Sequence, residues 1–166
     1  MRPILAVDVD GVVSLFDFSD PPDPAWSSFH VIDGMVRCIS QASGEMLRRL
    51  SQRYELVWAT GWEERANLLA PLLGIPECPY LTFGGKARFG TADWKLESLG
   101  EYARGRPLAW IDDSFDESCH RWAREREEPT LLVRTEPHLG LQEEQVETLT
   151  AWALDPLPAG PPPAAG

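Results

Sequence analysis

Five short apolar runs alternate with helical patterns along almost the whole of this 166-residue chain. The runs cover residues 4–7, 56–59, 80–83, 108–111 and 131–133. Each is almost continuously apolar, as strands that are covered on both faces must be. Alternation of such strands with helices is typical of a parallel sheet built from βαβ units. The pattern therefore predicts an α/β fold with three layers and a mainly parallel five-stranded sheet.

The segments between these runs carry apolar side chains at helical spacing, which predicts the helices of the outer layers. The four stripes are Met46, Leu47 and Leu50; Trp94, Leu99, Tyr102 and Ala103; Phe115, Cys119, Trp122 and Ala123; and Val146, Leu149, Trp152 and Ala153.

Residues 14–42 interrupt the alternation of strands and helices. Asp33-Gly34 stands there between two apolar runs, which is a strong hairpin signal. We predict a hairpin flap over about residues 14–42, above the end of the first strand. Residues 155–166 are so rich in Pro, Ala and Gly that we predict a disordered tail, which leaves one domain at residues 1–154.

Composition narrows the classes of function. The net charge of −11 argues against a general nucleic-acid surface, because phosphate backbones are held by Lys and Arg. Three scattered cysteines, Cys38, Cys78 and Cys119, form no disulfide framework or zinc pattern, so we expect them to be reduced. No stretch is long and apolar enough for a membrane span, and no leader peptide is visible. We expect a cytoplasmic protein.

The first apolar run leads directly into Asp8-Val9-Asp10-Gly11. In open α/β sheets the ligand crevice lies outside the carboxyl ends of the strands, so two acids there indicate chemistry. Asp and Gly are also common turn residues, and a simple turn is the alternative interpretation of this tetrad.

The second run ends in Thr60-Gly61, where a helix is about to begin. A hydroxyl and a backbone N–H at a helix N-terminus form a natural phosphate site. The alternative is a capping box between Thr60 and Glu63, which would explain the threonine without any ligand.

The fourth run ends in a second acidic pair, Asp112-Asp113. Adjacent carboxylates repel one another unless a cation offsets the repulsion, and Mg²⁺ prefers such hard oxygen ligands. A capping box between Ser114 and Glu117 is an alternative that does not explain Asp112. Lys95 lies between the second and fourth runs, and an ammonium there would neutralise an anionic transition state; a solvated surface lysine is the alternative.

The order of these motifs, D-x-D-G-V, T-G, K and D-D, resembles the haloacid dehalogenase-like (HAD) phosphohydrolase superfamily. More narrowly, residues 3–154 resemble the HAD domain of Swiss Army Knife RNA repair proteins. That resemblance is carried by Val57-Trp58-Ala59-Thr60-Gly61-Trp62, Arg65-Ala66-Asn67, Trp94-Lys95, Pro107-Leu108-Ala109-Trp110-Ile111-Asp112-Asp113 and Thr130-Leu131-Leu132-Val133.

The resemblance implies a Rossmann-like fold with strand order 5-4-1-2-3 and a Mg²⁺-dependent phosphatase. Asp8 would be the nucleophile that forms an aspartyl-phosphate, and Asp10 the general acid and base. The metal would be held by Asp8, the backbone carbonyl of Asp10, Asp112 and Asp113, with Asp113 as a ligand or an orienting group. The transferring phosphoryl group would be held by the three remaining motif residues. These are Thr60, Gly61 and Lys95.

Cap domains usually select substrates in this superfamily, and the chain has no room for a large one. An open site favours a bulky phosphorylated substrate such as an RNA or DNA end or a protein. Trp26, Phe29 and Trp62 are candidate base-stacking side chains, and a place in the core is the alternative for most of the tryptophans. Small phosphomonoesters remain an alternative, as does a non-catalytic domain that binds phosphorylated partners. Gly84-Gly85-Lys86 lacks the spacing and the hydroxyl of a P-loop, so nucleoside triphosphate binding is not expected.

Overall fold

The computed structural model describes residues 1–160 and forms two sheets with helices around them. The strands are β1 (Ile4–Val7), β2 (Ser14–Leu15), β3 (Ser27–Ile32), β4 (Met35–Ser40), β5 (Glu55–Trp58), β6 (Leu108–Asp112) and β7 (Thr130–Arg134). The α-helices are α1 (Gln41–Leu50), α2 (Ala70–Leu73), α3 (Leu96–Tyr102), α4 (Glu117–Glu125) and α5 (Glu143–Leu154), and 3-10 helices cover Glu63–Leu69 and Asp93–Lys95.

Four parallel strands form the main sheet, in the order β5-β1-β6-β7. Val7, the last residue of β1, is paired with Trp58 on one side and with Ile111 on the other. The residues that follow these three strands therefore meet at one edge of the sheet. The α/β class and the parallel arrangement agree with the sequence pattern.

The fifth predicted strand, at residues 80–83, is not formed within the described part of the chain. Only an isolated bridge joins Trp58 to Tyr80, through Trp58 N–H to Pro79 carbonyl and Leu81 N–H to Trp58 carbonyl. Two features end the strand pairing. Pro79 has no N–H to donate, and the Phe83 N–H donates to the Glu63 carboxylate at 2.9 Å instead of to a strand. The prediction of a five-stranded sheet is therefore wrong by one strand.

Each face of the main sheet is covered by its own core. One core holds alternate strand residues against α1 and α5: Leu5, Val7, Trp58, Ile111, Leu47, Leu50, Val146 and Leu149. The other packs the opposite side chains against α3 and α4: Ile4, Ala6, Val57, Leu108, Trp110, Leu99 and Cys119. Side chains on a strand point alternately to the two faces, so continuous apolar runs follow from this double burial.

A three-stranded antiparallel sheet, in the order β2-β4-β3, follows β1. Asp33 and Gly34 connect β3 to β4 with positive φ angles of 51° and 76°. Two positive φ values are the mark of a type I′ turn, so the Asp-Gly signal predicted this hairpin correctly. Ile39 on β4 is fully buried and anchors the hairpin in the core.

Other predictions fall at the end of the chain and on the cysteines. Residues 155–160 follow α5 without regular structure, and residues 161–166 of the predicted tail lie outside the described residues. Cys38, Cys78 and Cys119 are free thiols. No helix within residues 1–160 is both long and apolar enough to cross a membrane.

Candidate functional site

Asp8, Lys95 and Asp112 form a buried ionic cluster at the edge of the main sheet. Asp8 follows β1 and Asp112 ends β6, and the pairing of these strands sets the two carboxylates side by side. The Lys95 Nζ lies 2.6 Å from Asp112 Oδ2 and 3.1 Å from Asp8 Oδ1. Lys95 is only 2% exposed, so the alternative of a solvated surface lysine is wrong.

Burial and the neighbouring charges shift the pKa values of Asp8 and Lys95. Burial raises the pKa of the Asp8 carboxyl well above its usual range, and the charge of Asp112 adds to that effect while Lys95 opposes it. Burial alone would lower the pKa of Lys95, but the carboxylates of Asp8 and Asp112 outweigh it and raise the pKa above its usual value. Lys95 is therefore a fixed cation between two carboxyl groups.

Asp113 adds a third carboxylate to the cluster. One carboxylate oxygen of each of Asp8, Asp112 and Asp113 lies within 4.8 Å of the others. The loop is held by Ser114, whose Oγ donates to Asp113 Oδ1 at 2.8 Å and whose N–H donates to Asp112 Oδ1 at 3.0 Å. Arg134 on β7 also donates to the Asp113 carbonyl at 2.9 Å.

The donor set of this cluster fits a hard divalent cation. All three ligands are carboxylates, which favour such ions over the softer metals that thiolates and imidazoles select. One ammonium against three carboxylates gives a formal charge of minus two, the charge that a divalent cation balances. Asp8, Asp112 and Asp113 can therefore hold a metal ion.

Gly11 makes room for Asp113, a role that we did not assign from the sequence. Its φ angle is +79°, and a Cβ built on it would overlap the Asp113 carboxylate. Only glycine tolerates both the left-handed backbone and this close approach. The signal was present in the sequence as the glycine that ends the D-x-D-G tetrad, where a turn was the simpler interpretation.

Asp10 lies beside the cluster but its carboxylate is engaged elsewhere. Its Oδ1 accepts from Arg37 Nη1 at 3.1 Å, and its Oδ2 accepts from Trp62 Nε1 at 2.9 Å. The guanidinium of Arg37 also lies 4.8 Å from the centre of the Trp62 ring. Neither partner of Asp10 was predicted, because Arg37 and Trp62 are distant from it in sequence.

Thr60 and Gly61 lie in the loop after β5, next to the end of β1. The Ala59 N–H donates to the Val7 carbonyl at 2.8 Å, so Ala59 lies beside Asp8. Thr60 is the next residue along the chain. Thr60 is buried and its Oγ1 accepts from the Trp62 N–H at 3.3 Å. A Cβ on Gly61 would lie 3.1 Å from the Ala87 side chain, so a glycine lets loop 84–90 pack closely here.

Neither capping box that competed with the functional interpretation is formed. The Glu63 carboxylate accepts from the Phe83 N–H rather than from the backbone N–H of Thr60, and Glu63 itself has a φ of +51°. Helix α4 is capped by Asp116, whose carboxylate accepts from the Cys119 N–H at 3.1 Å. A capping role therefore explains neither Thr60 nor Ser114 in this fold.

The three candidate stacking side chains occupy different environments. Trp62 is buried between Arg37 and Arg65 and is part of the wall of the site. Phe29 is exposed on the hairpin. Trp26 lines a cleft of about 450 Å³ with His138 and Leu139, and none of the predicted site residues lines that cleft.

No family model matches this chain, and no curated protein matches it.

Proposed function

We propose that this chain is a Mg²⁺-dependent phosphomonoester hydrolase of the HAD type that works through an aspartyl-phosphate intermediate. The observation that carries the proposal is the buried cluster of Asp8, Asp112 and Asp113 with Lys95 bonded between two of them. A turn needs no buried lysine and no third carboxylate, whereas phosphoryl transfer needs a nucleophile, a metal and a fixed cation. The Rossmann-like strand order that the motifs imply is compatible with the observed β5-β1-β6-β7 order.

The metal would be held by the carboxylates of Asp8, Asp112 and Asp113 together with the backbone carbonyl of Asp10. When bound, Mg²⁺ supplies positive charge that draws the phosphoryl oxygens to the nucleophile and offsets their negative charge. Ser114 and Arg134 support this role, because their hydrogen bonds orient the Asp112-Asp113 loop.

In the first step, an oxygen of Asp8 attacks phosphorus, the new P–O bond forms, and the bond to the leaving oxygen breaks. Asp10, which carries a proton at the start of this step, gives it to that leaving oxygen. In the second step, Asp10 takes a proton from a water molecule that attacks the aspartyl-phosphate, which releases inorganic phosphate and restores Asp8. Lys95, Thr60 and the N–H of Gly61 hold the oxygens of the transferring phosphoryl group.

The surroundings of the site bear on the size of the substrate. Within residues 1–160, the segments that could cover the site are the β3–β4 hairpin, acting as a flap, and the short loop 84–90. Phe89 on that loop is 98% exposed and Phe29 is exposed on the hairpin, so both offer aromatic surface to a nucleobase. We therefore favour the phosphorylated end of a nucleic acid, as in RNA repair, although the net charge of −11 opposes a long contact with it.

Two other functions remain as alternatives. A small-metabolite phosphatase would use the same catalytic site and would not need the exposed aromatic side chains for binding. A non-catalytic domain would bind phosphorylated partners through Thr60, Gly61 and Lys95, and it would have no need for the second acid, Asp10.

Metal removal tests the proposal directly. We expect the purified protein to hydrolyse an aryl phosphate in millimolar Mg²⁺ and to lose that activity in excess chelator, because the three carboxylates need a cation to accept an anionic substrate. Addition of Mg²⁺ should restore the rate. Hydrolysis that is insensitive to chelator would contradict the proposal, and binding of phosphate without turnover would favour the non-catalytic alternative.

A substrate panel tests which phosphate is used. RNA and DNA strands with a 3′ or a 5′ phosphate are compared with mononucleotides, sugar phosphates and phosphopeptides at equal concentration. The highest kcat/KM should belong to a strand end. A clear preference for sugar phosphates would instead favour the small-metabolite alternative.

The Gly11→Ala variant tests the metal site without touching a ligand. Its Cβ would displace the Asp113 carboxylate, so we expect Mg²⁺ affinity, measured by titration calorimetry, to fall at least about tenfold. Gly105→Ala is the matched control, because Gly105 also has a positive φ of +73° but nothing lies within 4 Å of its added Cβ. Both variants should lose about 1 kcal/mol of stability from backbone strain, whereas equal Mg²⁺ affinity in the two would contradict the assignment.

A further inference from the structure

The carboxylate of Asp10 is held from two sides by residues of separate elements. Arg37 lies on β4 of the hairpin and donates to Oδ1 at 3.1 Å, while Trp62 lies in the loop after β5 and donates to Oδ2 at 2.9 Å. Asp10 is the one acid of the predicted site whose carboxylate lies outside the three-carboxylate cluster. Its orientation therefore depends on Arg37 and Trp62 and not on the metal ligands.

Arg37 and Trp62 also hold each other. The guanidinium carbon of Arg37 is 4.8 Å from the centre of the Trp62 ring, a distance at which a cation and an aromatic face attract one another. Arg65 lies 6.0 Å from the same ring and bonds Asp33 of the hairpin turn at 2.9 Å. Two arginines thus connect the hairpin to Trp62, but only Arg37 contacts Asp10.

The position of Arg37 leaves one of its donors without a partner in the described part of the chain. Its Nε–H is buried and has no hydrogen-bond partner within the described residues, which is an unfavourable arrangement for a guanidinium. A fully exposed arginine on the hairpin would avoid that cost. The half-buried position provides two contacts in return, the Nη1 hydrogen bond to Asp10 and the contact with the Trp62 ring.

We propose that Arg37 and Trp62 are positioning residues that orient the Asp10 carboxylate toward the leaving oxygen and thereby couple proton transfer to the docked hairpin. The inference rests on the proposed function, in which Asp10 moves the proton. Two fixed donors leave the carboxylate one orientation, and proton transfer requires hydrogen-bond reach to the leaving oxygen. Displacement of the hairpin would remove Arg37 and leave Asp10 with Trp62 alone.

The test compares two substrates that differ in their need for a proton. Nitrophenyl phosphate has a good leaving group that departs without protonation, whereas glycerol phosphate has an alkoxide leaving group that requires an acid. The ratio kcat/KM reports the first irreversible step, which is transfer of the phosphoryl group to Asp8. We expect Arg37→Ala to lower kcat/KM at least about tenfold for glycerol phosphate and less than about twofold for nitrophenyl phosphate.

Three further variants complete the experiment. Trp62→Phe keeps an aromatic ring but removes the indole N–H. It should shift the ratio of the kcat/KM values for the two substrates in the same direction. Arg37→Lys keeps a cation and should restore part of the loss. Arg65→Ala is the matched control, because it removes a cation from the same ring and an exposed contact with the hairpin turn while Arg37 and Trp62 still hold Asp10. The ratio of the two kcat/KM values should stay that of the unmodified chain.

The outcomes separate this inference from the proposed function. If the unmodified chain hydrolyses neither substrate, the proposed function fails. If it hydrolyses both and Arg37→Ala lowers the two values of kcat/KM equally, Arg37 serves the fold or binds phosphate, and the positioning role is overturned. An unchanged ratio in both Arg37→Ala and Trp62→Phe would overturn it as well.

Discussion

Replacing Asp8 by Asn is expected to lower the turnover of an aryl phosphate by at least about 1,000-fold, because the amide cannot attack phosphorus as the carboxylate does. The same change is not expected to weaken the fold. Burial raises the pKa of Asp8 well above its usual range, so the folded protein holds the ionised carboxylate at a cost in free energy. A neutral amide removes that penalty, and Asp8→Asn should unfold in urea at the same or a higher concentration in metal-free buffer.

The control for this variant is Asp155→Asn, which changes the charge equally at an exposed position after α5. It should retain the full rate. An acid quench should trap a phosphorylated chain when residue 8 is Asp and none when it is Asn. That difference would identify the intermediate. Equal turnover by Asp8→Asn and the unmodified chain would rule out Asp8 as the nucleophile.

Replacing Lys95 by Met is expected to cause the largest loss of stability among single changes at the site. The variant leaves the buried carboxylates of Asp8 and Asp112 beside each other without their shared cation. Breaking a buried ion pair in this way costs about 3–5 kcal/mol. Urea unfolding at pH 7 in the presence of chelator measures that loss.

The pH and metal dependence of this loss identify its cause. Lys95 opposes the rise in the pKa of Asp8, so that pKa rises further when Lys95 is removed. The loss of stability is full above the new pKa and shrinks as the pH falls and Asp8 binds a proton. Mg²⁺ should also restore part of the stability. A loss that is the same at pH 5 and pH 7 would indicate a packing defect instead.

Lys86→Met is the matched control, because Lys86 and Lys95 are the two lysines of the chain and each is paired with acids. Lys86 bonds Glu97 at 2.7 Å, but its side chain is 61% exposed and that of Glu97 is 70% exposed. Exposed pairs of this kind contribute about 0–1 kcal/mol. A similar loss in both variants would contradict the buried-cluster explanation.

The apolar runs predicted the architecture of the main sheet well because burial on both faces leaves a strong local signal. Four of the five runs became its strands, and the Asp33-Gly34 turn was recognisable because few residues accept two positive φ angles. Residues 80–83 were apolar enough for a strand, but the Glu63 carboxylate accepts the Phe83 N–H that a longer ladder of strand hydrogen bonds would require. A side chain twenty residues away is invisible to a pattern of hydrophobicity.

The acids and the lysine of the candidate site were recognisable from chain order, since the two acid-bearing motifs come at the ends of predicted strands and Lys95 lies near the start of a predicted helix. Their alternatives were local, and the structure decided between them. Glu63 bonds Phe83 instead of closing a box with Thr60, and Asp116 caps α4 in place of Ser114. Helix caps depend on the backbone conformation at the helix end, and similar sequences begin a helix at different residues.

The sequence by itself determined which residues are the candidates for chemistry, because carboxylates that follow buried strands have no role in packing. Asp8, Asp112 and Asp113 were identified for that reason. Only the tertiary structure decided how these groups meet: Lys95 inside the cluster, Gly11 against Asp113, and Arg37 with Trp62 on Asp10. Those contacts join residues that are far apart in the chain, and strand pairing and core packing, rather than local propensity, bring them within bonding distance.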